Sequence, residues 1–222
     1  AVAYGEYDAT VVEVAEKLEG GVRSDEICAS IPGLAFRASD GKVVKNGPRP
    51  FMDNLDDIPY VSSVYKKHLD ITPYFYGHSR HPLIVLVSGR GCPFHCTYCV
   101  LPQTMQGHRY RKRSVENLVG EFRYIAENFP GVKEIMIEDD TFTADKKRCR
   151  EFSDKLIEQK LTGIPWSANS RADVDYETMR LMKKAGCRLF CVGFESGNQQ
   201  ILDNIQKSMT LDKIHVFIKE AR

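Results

Sequence analysis

Residues 82–99 read Pro-Leu-Ile-Val-Leu-Val-Ser-Gly-Arg-Gly-Cys-Pro-Phe-His-Cys-Thr-Tyr-Cys, an apolar run followed by a cysteine-rich segment. The run is typical of a strand that is buried on both faces in a parallel sheet. Gly89, Gly91 and Pro93 then interrupt regular structure, which places the cysteines on a loop at the carboxyl end of the strand. Because parallel α/β folds carry their chemistry at this end of the sheet, we expect a functional site here.

Three cysteines of this loop, Cys92, Cys96 and Cys99, have the spacing C-x3-C-x2-C. Thiolate ligands are soft and favour an iron–sulfur cluster or zinc over magnesium or calcium. A structural zinc site usually has four ligands, often in two C-x2-C pairs, and here only the adjacent His95 offers a fourth. The residues alone therefore favour a cluster and leave zinc and simple packing as alternatives. The other four cysteines are predicted to be packing residues: Cys28, Cys149, Cys187 and Cys191.

The cysteine motif, with the aromatic Tyr98 before its third cysteine, resembles the radical S-adenosylmethionine (SAM) superfamily. The resemblance implies that the three cysteines bind a [4Fe–4S] cluster. It also implies that the free iron chelates the amino and carboxylate groups of SAM, with Tyr98 among the cofactor-binding residues. One-electron reduction then yields a 5′-deoxyadenosyl radical that abstracts hydrogen from a substrate.

Strands alternate with helices after the loop. Apolar strands are predicted at 132–137, 164–167 and 188–194, and Ser114, Asp145 and Asp175 stand at the starts of amphipathic helices. This alternation predicts an α/β fold with a parallel sheet. By resemblance it is an incomplete radical SAM partial (β/α) barrel, preceded by the carboxyl-terminal part of a cobalamin-binding α/β domain and a linker.

Polar residues follow the predicted strands and should meet at one rim of the sheet. The resemblance gives them the SAM contacts. Asp139 and Asp140 would lie at the SAM amino group, Asn169 at the third strand, Glu195 at the ribose and Lys207 at the methionine carboxylate. Simpler interpretations are a helix-capping role for Asp139 and a solvated lysine at the end of a helix for Lys207.

The first eighty residues have a different character. Their segments 4–6, 31–37 and 49–59 resemble the tail and linker of the cobalamin-binding radical SAM branch, although the D-x-H-x-x-G cobalt-ligand motif is not found. We therefore expect an internal fragment of a longer protein. It would comprise 1–46 from the cobalamin-binding-like domain, 47–80 as linker and 81–222 as a truncated radical SAM core. Cobalamin is expected in the full-length protein.

Composition limits the function. Of 222 residues, 42% are hydrophobic, which excludes disorder, and the net charge of +1 argues against a nucleic-acid-wrapping protein. The basic stretch 108–113 is accordingly interpreted as a loop rather than an RNA patch. No apolar run approaches the ~20 residues of a membrane helix. An odd cysteine count favours reduced thiols and a cytoplasmic location.

We therefore predict a radical SAM enzyme that acts on a small molecule, by methyl transfer or by rearrangement or cyclisation. Hopanoid-type lipids are one candidate substrate class, and a flavodoxin or ferredoxin would be the electron donor. The alternatives are a zinc-stabilised RNA-binding module and a radical SAM RNA-modifying enzyme.

Overall fold

The computed structural model describes residues 1–103 and 107–222, which form two compact units. The smaller unit comprises 1–53 and 100–107, and the larger comprises 54–99 and 108–222. The division between the units falls inside the expected linker 47–80, and residues from 54 onward belong to the larger unit. The boundaries at 46 and 80 stay predictions.

The smaller unit is an antiparallel sheet with two helices. Its elements are β1 (Val2–Ala3), α1 (Asp8–Glu19), α2 (Ser24–Ser30), β2 (Leu34–Arg37) and β3 (Val43–Lys45). The predicted hairpin is present, with Phe36 opposite Val44 and Gly41 at a positive φ of 85° in the turn. Ile27, Ile31 and Leu34 form the small core.

The larger unit is built on four parallel strands. The four strands of this sheet are β4 (Leu83–Leu86), β7 (Glu134–Ile137), β8 (Trp166–Ser170) and β9 (Cys187–Val192). Two short strands, β5 (Gly89–Arg90) and β6 (Arg111–Lys112), form a separate ribbon. The main sheet has the order β4-β7-β8-β9, so that consecutive strands of the sheet are neighbours. This confirms the predicted parallel α/β fold. β8 begins two residues later than predicted, after Pro165, which lacks the N–H that a ladder needs.

Helices follow the strands as the capping residues indicate. They are α3 (Val61–His68), α4 (Val115–Asn128), α5 (Lys146–Glu158), α6 (Tyr176–Lys184), α7 (Gln199–Asn204) and α8 (Leu211–Ala221). Ser114, Asp145 and Asp175 are N-caps, each accepting a hydrogen bond from a backbone N–H three residues later. These caps satisfy amide groups that a helix start otherwise leaves unpaired.

The main core lies between the sheet and its helices. Phe122, Phe142, Phe152 and Trp166 pack edge to face with ring centroids 5.2–6.4 Å apart. The indole N–H of Trp166 donates to the Ala185 carbonyl at 3.0 Å, so its one polar group is satisfied. This aromatic cluster fixes the sheet against the helices and holds the strand ends in place.

The segment 54–80 joins the larger unit through buried polar contacts. Ser62, near the start of α3, donates from its backbone N–H and its hydroxyl to Glu121 at 3.0 and 2.8 Å. Glu121 is fully buried and also pairs with Arg113. Because a buried carboxylate needs such partners, this contact explains why α3 packs here although its sequence pattern is linker-like.

Within the described residues, the helices are all too short and too polar to cross a membrane.

Replacing Phe152 by Ala should lower the free energy of unfolding by about 3–5 kcal/mol, because a fully buried ring is removed from a packed cluster. Denaturant unfolding measures this change. The matched control is Phe75→Ala, since Phe75 is 77% exposed. Equal losses for the two variants would contradict the assigned core.

Candidate functional site

The cysteine loop leaves the carboxyl end of β4 and is closed at its base by a small ribbon. β5 pairs antiparallel with β6, with Gly89 opposite Lys112 and Arg90 opposite Arg111. The backbone N–H of Arg113 donates to the Ser88 carbonyl at 2.9 Å and extends this pairing. The residues just before the cysteines, 88–90, are therefore held against residues 111–113, where the chain returns to the rim of the sheet.

A buried carboxylate anchors the start of the loop. Asp139 follows β7, is 1% exposed and accepts hydrogen bonds with both oxygens. Its Oδ1 accepts from the Ser88 and Gly89 N–H groups at 2.6 and 2.9 Å, and its Oδ2 accepts from the Ser88 hydroxyl at 2.7 Å and the Tyr110 hydroxyl at 3.2 Å. Burial raises the pKa of Asp139, and the positive charge of Arg148 opposes that shift.

Asp139 is thus enclosed, and its oxygens accept hydrogen bonds from groups that position the loop. The SAM contact that the resemblance implies for it stays a prediction. Arg148 strengthens the anchor by donating to the Ser88 carbonyl at 3.1 Å. Sequence reasoning missed Tyr110 and Arg148. The only available signal was a tyrosine among the basic residues of 108–113.

Gly89 is required where Tyr110 crosses the loop. A Cβ on Gly89 would lie 2.6 Å from the Tyr110 ring and 3.1 Å from the Arg111 carbonyl oxygen. Any side chain here would therefore displace the ring that donates to Asp139. Burial and the neighbouring Asp139 raise the pKa of Tyr110 well above its ordinary value, so the phenol keeps its proton and can act as a donor.

The loop cysteines, Cys92, Cys96 and Cys99, form no disulfide and are partly exposed. The Cys99 N–H donates to the Cys96 carbonyl at 3.1 Å, which forms a tight turn between the last two. The Cys92 Sγ lies 3.7 Å from the Thr141 hydroxyl, and the Cys96 Sγ lies 3.9 Å from Nη1 of Arg171. A polar group after β7 and another after β8 thus reach the thiols.

The donor set fits an iron–sulfur cluster. Among residues 1–103 and 107–222, no three His, Cys, Asp or Glu side chains are arranged to hold a single metal ion. Soft thiolate donors suit an iron–sulfur cluster, in which each thiolate binds a different iron. His95 stacks on His108 with ring centroids 4.2 Å apart. The buried guanidinium of Arg171 beside Cys96 suits an anionic iron–thiolate centre.

An ion pair stands at the end of β9. Lys207 Nζ lies 2.7 Å from Glu195 Oε1, and Lys207 is 5% exposed. Gly193 provides the space, because a Cβ there would overlap the Glu195 carboxylate and lie 3.2 Å from the Lys207 amine. Burial would raise the pKa of Glu195, but hydrogen bonds from Lys207 and Tyr98 outweigh it and lower the pKa. Partial desolvation and Glu195 raise the pKa of Tyr98.

The structure thus brings Tyr98, Glu195 and Lys207 together. Their shared role in cofactor binding, which the resemblance implies, stays a prediction. The cysteine loop also reaches the segment that carries Lys207. The Thr97 N–H donates to the Ile205 carbonyl at 3.0 Å. Arg171 donates to the Lys207 carbonyl and lies 3.8 Å from the centroid of the Phe94 ring.

Asp140 and Asn169 lie on the same rim with different environments. Asp140 Oδ2 is buried without a hydrogen-bond partner, while the Gly91 N–H donates to the Asp140 carboxylate. Burial and the charge of Asp139 raise the pKa of Asp140. The Asn169 amide donates to the Asp139 carbonyl at 3.0 Å and lies 3.4 Å from Glu138 Oε1. Of the two predicted carboxylates, Asp140 is the one that is partly exposed, while Asp139 is buried.

The thiols divide into reactive and protected groups. Burial raises the pKa of the Cys149 thiol to about 12, and burial likewise raises the pKa of Cys187. Brief treatment of the cluster-free native protein with iodoacetamide at neutral pH should therefore label the loop cysteines and spare these two, because the thiolate is the nucleophile. Mass spectrometry of the peptides measures the labelling.

Anaerobic reconstitution with iron and sulfide should then protect the loop cysteines from labelling. Cys28 serves as the matched control, because it is also partly exposed but lies in α2. Labelling of the loop cysteines at an unchanged rate in iron-loaded protein would contradict their assignment as ligands.

Comparison with known proteins agrees with this geometry. A model of the Radical SAM superfamily matches residues 86–222, which include the cysteine loop, the main sheet except the first residues of β4, and the Glu195–Lys207 pair. An uncharacterized methyltransferase of Pyrococcus horikoshii is 34% identical over 225 residues, covering 100% of this chain and 46% of the relative. The cytidylyl-2-hydroxyethylphosphonate methyltransferase of Streptomyces wedmorensis is 29% identical, covering 100% of this chain and 45% of the relative.

A solved structure shares the fold. The cobalamin-dependent S-adenosylmethionine radical enzyme OxsB superposes with a TM-score of 0.73 at 18% identity, over 98% of this chain and 31% of that one. The chain spans about half the length of the two curated relatives. The cysteine loop and the strand-end residues lie inside the matched family region, and the chain belongs to the radical SAM superfamily.

Proposed function

We propose that this chain is the SAM-binding and SAM-cleaving part of a larger radical enzyme that acts on a small molecule. The observation that carries the proposal is the meeting of the loop cysteines with the Glu195–Lys207 pair at one rim of a parallel sheet. Thr97 and Arg171 connect the two through the Ile205 and Lys207 carbonyls. Soft metal ligands and a charged pair suited to a zwitterion thus lie side by side.

Each residue has a role in this proposal. The loop cysteines would hold the cluster, which when bound supplies the electron that cleaves SAM into methionine and a 5′-deoxyadenosyl radical. Lys207 would pair with the methionine carboxylate as a point charge, and Glu195 would accept hydrogen bonds from the ribose hydroxyls. Tyr98 and Asn169 would border this pocket. Asp140, which is partly exposed at the same rim, would lie at the SAM amino group.

The Glu195–Lys207 pair explains how the site is kept ready before SAM binds. Without a ligand, each charge of the pair compensates the other at 2.7 Å, so that a nearly buried lysine is not left alone. When SAM binds, the methionine carboxylate and the ribose hydroxyls would offer each residue a replacement partner. The exchange would leave Lys207 paired with a carboxylate and Glu195 hydrogen-bonded by the ribose hydroxyls.

We also propose a domain organisation and a second cofactor for the full-length protein. The parallel sheet would be the first part of a radical SAM partial barrel over 81–222, with 47–80 as linker and 1–46 as part of a cobalamin-binding domain. The shared fold with the cobalamin-dependent OxsB supports cobalamin in the full-length protein. The similarity to methyltransferases supports methyl transfer, and cyclisation stays the alternative because cyclases match as well. Hopanoid-type lipids stay one candidate substrate class.

An RNA substrate is disfavoured by the basic stretch 108–113. Tyr110 donates to Asp139, Lys112 pairs with Asp145 at 2.5 Å, and Arg113 pairs with Glu121. These side chains therefore hold the loop and do not form an open RNA surface. The same proposal includes a flavodoxin or ferredoxin as one-electron donor. It also includes a cytoplasmic location, which suits seven cysteines that form no disulfide.

The direct test is anaerobic reconstitution of the chain, followed by reduction with dithionite in the presence of SAM. We expect about four irons per chain, as a [4Fe–4S] cluster requires, and formation of 5′-deoxyadenosine detected by liquid chromatography. Cys96→Ala should lose the cluster and the product, because three thiolates are needed. Glu195→Gln should keep its iron and need a higher SAM concentration.

One zinc and no iron after reconstitution would instead support the zinc-stabilised alternative. Wild-type iron content in Cys96→Ala would overturn the ligand assignment. If Glu195→Gln behaved like the wild type at every SAM concentration while Cys96→Ala failed, the cluster would stand and the predicted ribose contact would fall.

A further inference from the structure

We propose that Arg171 is a positioning residue that sets the reduction potential of the cluster through Cys96. It lies just beyond β8, is 4% exposed and places Nη1 3.9 Å from the Cys96 Sγ. The inference rests on the proposed function, because it requires the loop cysteines to hold an iron–sulfur centre.

The guanidinium is held by contacts on several sides. It lies 3.8 Å from the centroid of the Phe94 ring, in the geometry of a cation–π contact, and its Nη2 donates to the Lys207 carbonyl. Its Nε faces Asp173 at 3.5 Å. The backbone is fixed as well, because the Arg171 N–H donates to the Thr143 hydroxyl at 3.4 Å. The charge therefore has little freedom to leave Cys96.

The electrostatic balance around Arg171 points to an anionic partner. A guanidinium stays protonated at any physiological pH, and burying it is costly unless nearby charge or acceptors compensate it. Two carboxylates act on it. Asp173 lies 3.5 Å from Nε and is one-third exposed. Glu195, whose pKa the charge of Arg171 helps to lower, is already paired with Lys207. A neutral Cys96 thiol would be a weak partner, whereas a thiolate bound to iron would add negative charge on the side where Nη1 lies.

The effect of Arg171 on the reduction potential of the cluster has a definite direction. Hydrogen bonds to the cysteine sulfurs and nearby charge are among the factors that set the potential of an iron–sulfur cluster. Reduction adds negative charge to a centre that its thiolates already make anionic. A fixed cation beside Cys96 therefore stabilises the reduced form more than the oxidised form, and Arg171 should raise the potential and ease electron entry.

The test is a redox titration of the reconstituted chain, in which electron paramagnetic resonance follows the reduced cluster. Arg171→Gln removes the charge and should shift the midpoint potential to a more negative value at unchanged iron content. The matched control is Arg188→Gln. Arg188 is also partly buried and pairs with a buried carboxylate, Glu134, at the opposite ends of the strands. The Arg188→Gln variant should leave the midpoint potential of the cluster unchanged.

A second variant keeps the proposal testable if Arg171→Gln does not retain iron. Phe94→Leu keeps every ligand and the charge but removes the ring that holds the guanidinium, and it should shift the potential in the same direction by a smaller amount. An unshifted potential in an iron-loaded Arg171→Gln, or in Phe94→Leu when the first variant is empty, would overturn the proposal. Failure of the wild type to take up iron would instead overturn the proposed function.

Discussion

The site depends on one buried carboxylate. Asp139 joins the end of β7 to the start of the cysteine loop through Ser88 and Gly89, and to the return of the segment through Tyr110. Because the donors satisfy both oxygens inside the protein, the loop has a fixed origin although its thiols are partly exposed. Arg148 adds a second link at Ser88. A loop rich in glycine would otherwise have no defined position relative to the sheet.

Further contacts involve residues that follow the other strands of the sheet. Arg171 after β8 reaches Cys96, and Lys207 after β9 pairs with Glu195. Parallel strands present their carboxyl ends at one edge, so residues that are far apart in sequence meet there. The charges are arranged in complementary pairs. Lys207 compensates the Glu195 carboxylate, and the Arg171 guanidinium faces the Cys96 thiol.

Local sequence signals predicted much of this architecture. The strand β4 and the cap of α4 by Ser114 were predicted, because an apolar run and a capping side chain act through neighbouring residues. The role of Asp139 could not be read in this way. A carboxylate after a strand serves equally as a ligand contact or as an anchor, and the anchoring contact involves the distant Tyr110. The helix α3 was missed for the same reason, since its stabilising contact is with the distant Glu121.

In the proposed site, the loop cysteines present a cluster with an open iron to a SAM pocket bordered by Glu195 and Lys207. The most direct measurement is the electron paramagnetic resonance spectrum of the reduced, reconstituted chain with and without SAM. Binding of SAM to the open iron should change the spectrum of the cluster, and the change should saturate with SAM concentration. A full cluster signal that is identical in the absence and presence of saturating SAM would contradict the account.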